Sequence, residues 1–184
     1  MADIRSFEGK VSRIASDAWL DPTAVVIGDV SIGARSSLWP GVIARGDINS
    51  VVIGECTNIQ DGSILHVTHD SRFAPGGYAQ YVGDHVTVGH RVVLHGCEIG
   101  HHCLIGMSAT VMDGALVEPY VVLGAGSLVP GGKRLESGHL YVGCPARRIR
   151  PITETERAYF DYSSMSYVRL AERYRDRSHW VSPR

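Results

Sequence analysis

From residue 99 to residue 129 an aliphatic side chain returns at every sixth position, at Ile99, Ile105, Val111, Val117, Leu123 and Val129. Four places after each of the first five stands a small or β-branched residue: Cys103, Ala109, Ala115, Val121 and Ser127. The same frame runs upstream through Val82, Val88 and Leu94 with Val86 and Val92, and through Ile53, Ile59 and Leu65 with Thr57 and Ser63. A six-residue period fits neither a helix nor a long alternating strand. It fits short strands joined by turns and coiled into a three-sided prism, where three hexads make one coil and each coil covers the open edge of the last. The aliphatic residue fills the interior and the small one lets the corner close. A generic β-sandwich would instead space its turns roughly 8 to 12 residues apart. The predicted architecture is therefore an all-β solenoid, a parallel β-helix of hexapeptide repeats.

Two places break the frame. Leu94 to Ile99 is one residue short, and between Leu65 and Val82 an insertion falls around residues 70–80, where Pro75, Gly76 and Gly77 mark an excursion loop. Beyond Val129 the pattern fades through Pro130, and "YVGCPARRIRP" leaves the prism. Thr153 and Glu156 then form a capping box that opens a helix over about 154–176. One stripe of this helix carries Ala158, Tyr162, Met165 and Val168, another Phe160, Tyr167 and Tyr174, and both are expected to cover apolar surface. The division is a β-helix domain over 1–150 and a C-terminal helix and tail over 151–184, the last residues, "DRSHWVSPR", reading as a loose tail.

Composition narrows the function. A formal charge of -1, with no run of like charge beyond Arg147, Arg148 and Arg150, leaves no electrostatic footprint for nucleic acid. No apolar run reaches the length of a membrane span and the first residues mix charges, so neither membrane nor export is indicated and a cytoplasmic location is expected. Cys56, Cys97, Cys103 and Cys144 form no CxxC pair and read as reduced structural thiols.

The repeat also places the histidines. With the insertion removed, Leu94 lies one coil beyond Leu65, so His66 and His95 share a corner on adjacent coils. One strand spacing apart, two imidazoles can converge on a metal through bonds of ~2.0–2.1 Å. His90 falls on the preceding face and points elsewhere on its own prism. Around a cyclic axis, however, one chain's His90 can meet a neighbour's His66 and His95, which puts the metal between subunits. His101 and His102, side by side at a corner, are expected to face solvent.

The stretches "RGD" at Arg45 to Asp47, "NIQDGSILH" at Asn58 to His66 and "VGHRVVLHGC" at 88–97 resemble the gamma-class carbonic anhydrases, in their short bacterial branch. The resemblance covers nearly the whole chain. It implies a left-handed helix sense, a homotrimer, and zinc at His66, His90 and His95, with iron or cobalt as metals the same ligands accept. It implies reversible hydration of carbon dioxide to bicarbonate, because three neutral imidazoles leave a fourth zinc position where the pKa of water falls to about 7, as it does in carbonic anhydrases. It also assigns Arg45 and Asp61 to an ion pair across the subunit contact with Asp47 nearby, and Asn58 and Gln60 to hydrogen bonds around the water. Two carboxylates of the family pattern are replaced here by Ile48 and His69. His69 is the candidate proton shuttle, since its unperturbed pKa near 6.5 suits transfer at neutral pH. From the helix, where the family places an Asn and a Tyr near the site, this chain offers Tyr167 and Tyr162 but no Asn.

Two rival functions remain open on the residues. "GCPAR" at 143–147 resembles the exit segment of hexapeptide acyltransferases, in which one His would act as general base. A metal-stabilised trimeric scaffold without catalysis would use the same three ligands.

Overall fold

The computed structural model describes residues 1–176 and is a parallel β-solenoid followed by one α-helix. Its first face stacks Trp19–Leu20, Ser37–Leu38, Asn58–Ile59, Thr87–Val88, Leu104–Ile105, Val122–Leu123 and His139–Val142, in that order. Arg147–Pro151 turns back and closes this sheet antiparallel to His139–Val142. The other two faces join into a single sheet because Val25–Ile32 and Ile43–Ile53 run unbroken round a corner. From there the second face continues through Ile64–His66, Val93–His95, Thr110–Val111 and Leu128–Val129. The third continues through Gln80–Val82, Glu98–Ile99, Leu116–Val117 and Arg134–Leu135. Asp3–Arg5 and Arg13–Ile14 pair with Val25–Ile32 and cover its outer edge.

The hexad positions form the core. Ile59, Val88, Ile105 and Leu123 lie in register up the first face, Leu65, Leu94, Val111 and Val129 up the second, and all are fully buried. The small residues of the frame, from Thr57 to Ser127, are buried as well. The frame does not fade at Val129. Leu135 pairs with Val117 and Tyr141 with Leu123, both buried, so the prism keeps its period for two more positions, the second occupied by a ring where an aliphatic residue was expected.

A third irregularity lies upstream of the frame read from Ile53, where the buried series Val26, Ile32, Leu38 and Ala44 takes nine residues rather than six to reach Ile53. Gly28 faces Gly46, and Val30 faces Val51, so residues 47–50 bulge out opposite the single Asp29. The backbones touch there: a Cβ on Gly46 would lie 2.3 Å from the Asp29 carbonyl oxygen, which makes glycine obligatory beside Asp47. The insertion around 70–80 is a small hairpin, with Thr68 bridged to Tyr78 and Ser71 to Ala74.

One corner of the prism carries Arg35, Cys56, His85, His102 and Tyr120 in successive coils, each in the left-handed region with φ between 51° and 61°. That conformation costs a non-glycine residue about 1–2 kcal/mol, so these side chains must be held by what they touch. At His85, His102 and Tyr120 the holder is the C-terminal helix, Glu154–Asp176. Phe160 packs edge-on to Tyr120 and the Arg157 guanidinium lies 4.1 Å above the Tyr120 ring. The capping box forms as expected: Thr153 Oγ1 accepts from the Glu156 amide at 3.1 Å, and a Glu156 carboxylate oxygen accepts from the Thr153 amide at 2.8 Å.

The helix docks along the expected Phe160, Tyr167 and Tyr174 stripe, widened by Ser163, Ser164 and Ala171, whereas of the other expected stripe only Val168 is buried. Phe160, Ser163, Ser164, Val168 and Ala171 are buried, with Tyr167 and Tyr174 half-buried beside them, whereas Ala158 and Tyr162 face solvent. Trp19, Trp39, Tyr167 and Tyr174 pack as one aromatic cluster under the last turns, ring centroids 4.8–5.4 Å apart. The expected tail lies outside the described residues from 177 onward. Among the described residues no helix is long and apolar enough to cross a membrane, and no cysteine is bridged: Cys56, Cys97 and Cys103 are buried and Cys144 is exposed.

Candidate metal centre

Strand pairing puts His95 directly opposite His66 at the end of the second face. Their rings meet edge-on, 61° between planes, with His66 Nδ1 3.1 Å from His95 Nε2. Behind each ring stands a carboxylate: Asp113 Oδ1 lies 2.7 Å from His95 Nδ1, and Asp47 Oδ1 lies 3.3 Å from His66 Nε2. With each carboxylate accepting the N–H of its ring, two bare lone pairs face each other across 3.1 Å. That arrangement is repulsive by itself and favourable around a cation, since two nitrogens on tetrahedral zinc are ~3.3 Å apart given bonds of ~2.0–2.1 Å. Burial, and after it the nearby Arg45 guanidinium, push the His66 pKa down and keep the ring neutral, the state a ligand needs.

Asp47 is itself anchored. Arg45 Nη1 donates to its Oδ2 at 2.5 Å and the Ile48 amide to its Oδ1 at 3.0 Å, and the bulge at residues 47–50 aims the carboxylate at His66. Burial raises the Asp47 pKa, but the hydrogen bonds from Arg45 and His66 outweigh it and hold the carboxyl below its ordinary value. Asp113 was not singled out from the sequence, although it stands three hexads after His95. Its other oxygen accepts from Thr68 Oγ1 at 3.0 Å. Gly96 makes room for it: a Cβ there would sit 2.3 Å from Asp113 Oδ1, at a φ of 57°.

His90 lies on the turn between the first and second faces, at the opposite end of the second face from His66 and His95. Its Nδ1 is 2.8 Å from Asp61 Oδ2, which leaves Nε2 free to point outward. Within one chain Arg45 pairs with Asp47 and Asp61 with His90. Between the two ends of this face, Ile43 and Ile64 present exposed side chains in register.

Gln60, His90 and Tyr167 line one cleft of about 300 Å³ between the prism and the helix, floored by Gly89, Gly106 and Ala125. Asn58 stands behind it, buried. It accepts from Gln60 Nε2 at 3.0 Å and donates to Thr87 Oγ1 at 3.1 Å, and so orients Gln60 from below. Burial, with Asp61 adding to it, raises the Tyr167 pKa and keeps the phenol protonated. His69 and Ile48 are exposed, His69 at the base of the hairpin and Ile48 on the bulge.

A different trio converges within the chain. Among the described residues His85, His102 and Asp161 are the group whose metal-binding atoms all lie within 4.8 Å of one another. His102 does not face solvent as expected: it is stacked between His85 and Tyr120, with centroids 4.9 and 5.0 Å away.

No family model matches the chain. Among curated proteins it is similar to the protein YrdA of Escherichia coli, 47% identical over all of both chains. It is also similar to the mitochondrial gamma carbonic anhydrase 1 of Arabidopsis thaliana, 42% identical over 89% of this chain and 59% of the plant protein. Among solved structures, a hexapeptide transferase family protein from Anaplasma phagocytophilum superposes with a TM-score of 0.86 at 36% identity, covering 94% of this chain and 98% of the other. The chain belongs to the gamma-carbonic-anhydrase-like family of hexapeptide-repeat proteins.

Proposed function

We propose that the chain assembles as a ring, a trimer by its resemblance, in which His66 and His95 of one subunit and His90 of the next hold one divalent cation, zinc foremost, and that the protein hydrates carbon dioxide reversibly. The two ring nitrogens facing each other at 3.1 Å, with a carboxylate on the far nitrogen of each ring, carry this reading. When bound, the cation supplies a Lewis acid that makes hydroxide available at neutral pH. The chain's own residues do the rest. Asp47, Asp113 and Asp61 fix the tautomers and directions of the three imidazoles. Ile43 and Ile64 give the second face an apolar strip suited to a neighbouring copy. Gln60, oriented by Asn58, offers an amide at the cleft beside His90 and orients a polar reactant there. Tyr167 closes the far wall as a neutral hydroxyl, and His69 exchanges protons with solvent at the hairpin.

Zinc content per chain, stopped-flow hydration of carbon dioxide and consumption of acetyl-CoA, measured on one preparation, test the reading. Hydration that disappears in His90→Ala together with about one zinc per chain supports it. Consumption of acetyl-CoA without hydration would replace it with acyl transfer, using the cleft at His90. A zinc-loaded assembly inactive from pH 6 to about 9 would replace it with a metal-stabilised scaffold.

A further inference from the structure

We propose that His85, His102 and Asp161 form a second divalent-cation site, contained within one chain, that ties the C-terminal helix to the prism. The three ligands come from two adjacent coils and from the helix, so a cation among them would add a bridge between the prism and the first half of a helix whose later turns are held by the Trp19, Trp39, Tyr167 and Tyr174 cluster. Existing contacts already draw them together: His102 Nδ1 lies 2.9 Å from Asp161 Oδ1, and His85 Nδ1 lies 3.3 Å from Ser164 Oγ one helical turn further along. Both imidazoles occupy left-handed corners where a Cβ is unfavourable, and the same column ends, after Tyr120, in Gly138. Large rings at such positions need a return beyond filling space.

Two ring nitrogens and one carboxylate oxygen suit a borderline first-row cation such as zinc, nickel or copper, and do not suit magnesium or calcium, which take oxygen shells. A hydrated ion can reach the group, because Asp161 is 70% exposed at its side chain and His102 26%. The rings lie parallel, 2° between planes, so closing the site requires one to turn. His85 is the one placed to do so, since its Nδ1 has the longer 3.3 Å contact to Ser164. The consequence reaches the cleft, because Tyr159, Ser163 and Tyr167 of this helix form its outer wall beside His90. A cation at the corner would hold that wall in place.

The test uses the full chain in a His66→Ala background, so that zinc at the interface histidines cannot contribute. Zinc is measured by equilibrium dialysis, and amide exchange of residues 157–171 is followed with and without it. The proposal expects about one zinc per chain, slower exchange of the helix amides when zinc is present, loss of both in His66→Ala/His102→Phe, and at least about tenfold weaker binding in His66→Ala/Asp161→Asn. His102→Phe retains the stack on His85 and Tyr120, and Asp161→Asn alters an exposed helix position, so one of the two variants keeps its fold. Zinc binding or helix protection that is absent in the His66→Ala chain, or unchanged by both further substitutions, would overturn the proposal. Failure of the interface reading would instead show as equal zinc in the wild type and in His66→Ala.

Discussion

Two pairs of histidines in this molecule are built by the same device and differ in what they can do. His66 with His95, and His85 with His102, are each stacked one coil apart by the parallel ladder. The first pair meets at 61° with a carboxylate behind each ring, so its inner nitrogens converge. The second lies parallel, with its Nδ1 atoms turned toward the helix, so its nitrogens converge only after a ring rotates. The repeat therefore brings imidazoles side by side, and the residues behind them decide whether their nitrogens already converge or do so only after a ring turns. Register supplies proximity, and the second partner of each ring supplies direction.

That contrast can be broken at Asp113. Asp113→Asn leaves the backbone and the His95 ring in place but removes the anion that fixes its tautomer. Metal affinity at the interface histidines should fall by about 10–100-fold, measured by zinc-buffered competition, while the contacts of His85 and His102 are untouched. A smaller effect is expected from Gly96→Ala. The added Cβ meets Asp113 Oδ1 at a left-handed backbone position, which should destabilise the chain by about 1–2 kcal/mol in denaturant titration and weaken zinc binding with it. The smallest effect is at the helix that backs the second pair. Arg150, and then the Thr153 amide, bring the Glu156 carboxyl pKa down to about 2. A carboxyl lowered in the folded state contributes stability above its ordinary pKa and loses it as the pH falls toward 2. Glu156→Gln should accordingly cost about 0.5–1 kcal/mol at neutral pH and nothing at the acid end, read from helix ellipticity.

The solenoid was legible because its interior accepts one kind of residue at one interval, and neither a helix nor a flat sheet returns an aliphatic residue to its core every sixth position. Tyr141 hid the last coil, because an aromatic ring fills the end of the prism where a count of aliphatic residues stops. The alignment of His66 with His95 was legible for the same reason as the core, since both obey the register. Asp113 was not: one coil beyond His95, it could be found only by following the ladder past the histidines themselves. Of the two predicted stripes, that of Phe160, Tyr167 and Tyr174 docks, and that of Ala158 and Tyr162 does not, because Ser163, Ser164 and Ala171 take its place against a crowded corner where small residues fit better than large apolar ones. The bulge carrying Asp47 stretches the step from Ala44 to Ile53 to nine residues where Val26 to Ile32 takes six, a mark that a hexad count begun at Ile53 does not reach.

Mixing inactive subunits tests the central claim most directly. His66→Ala and His90→Ala chains, each inactive alone, are unfolded together in equal amounts and refolded. If the cation is shared between neighbours in a trimer, three in four random assemblies are mixed and each regains one of three sites, so about a quarter of the wild-type hydration, and of the zinc that the parents lack, returns. A mixture that stays as inactive and metal-poor as its parents, with mixed assemblies verified by mass, would contradict the account.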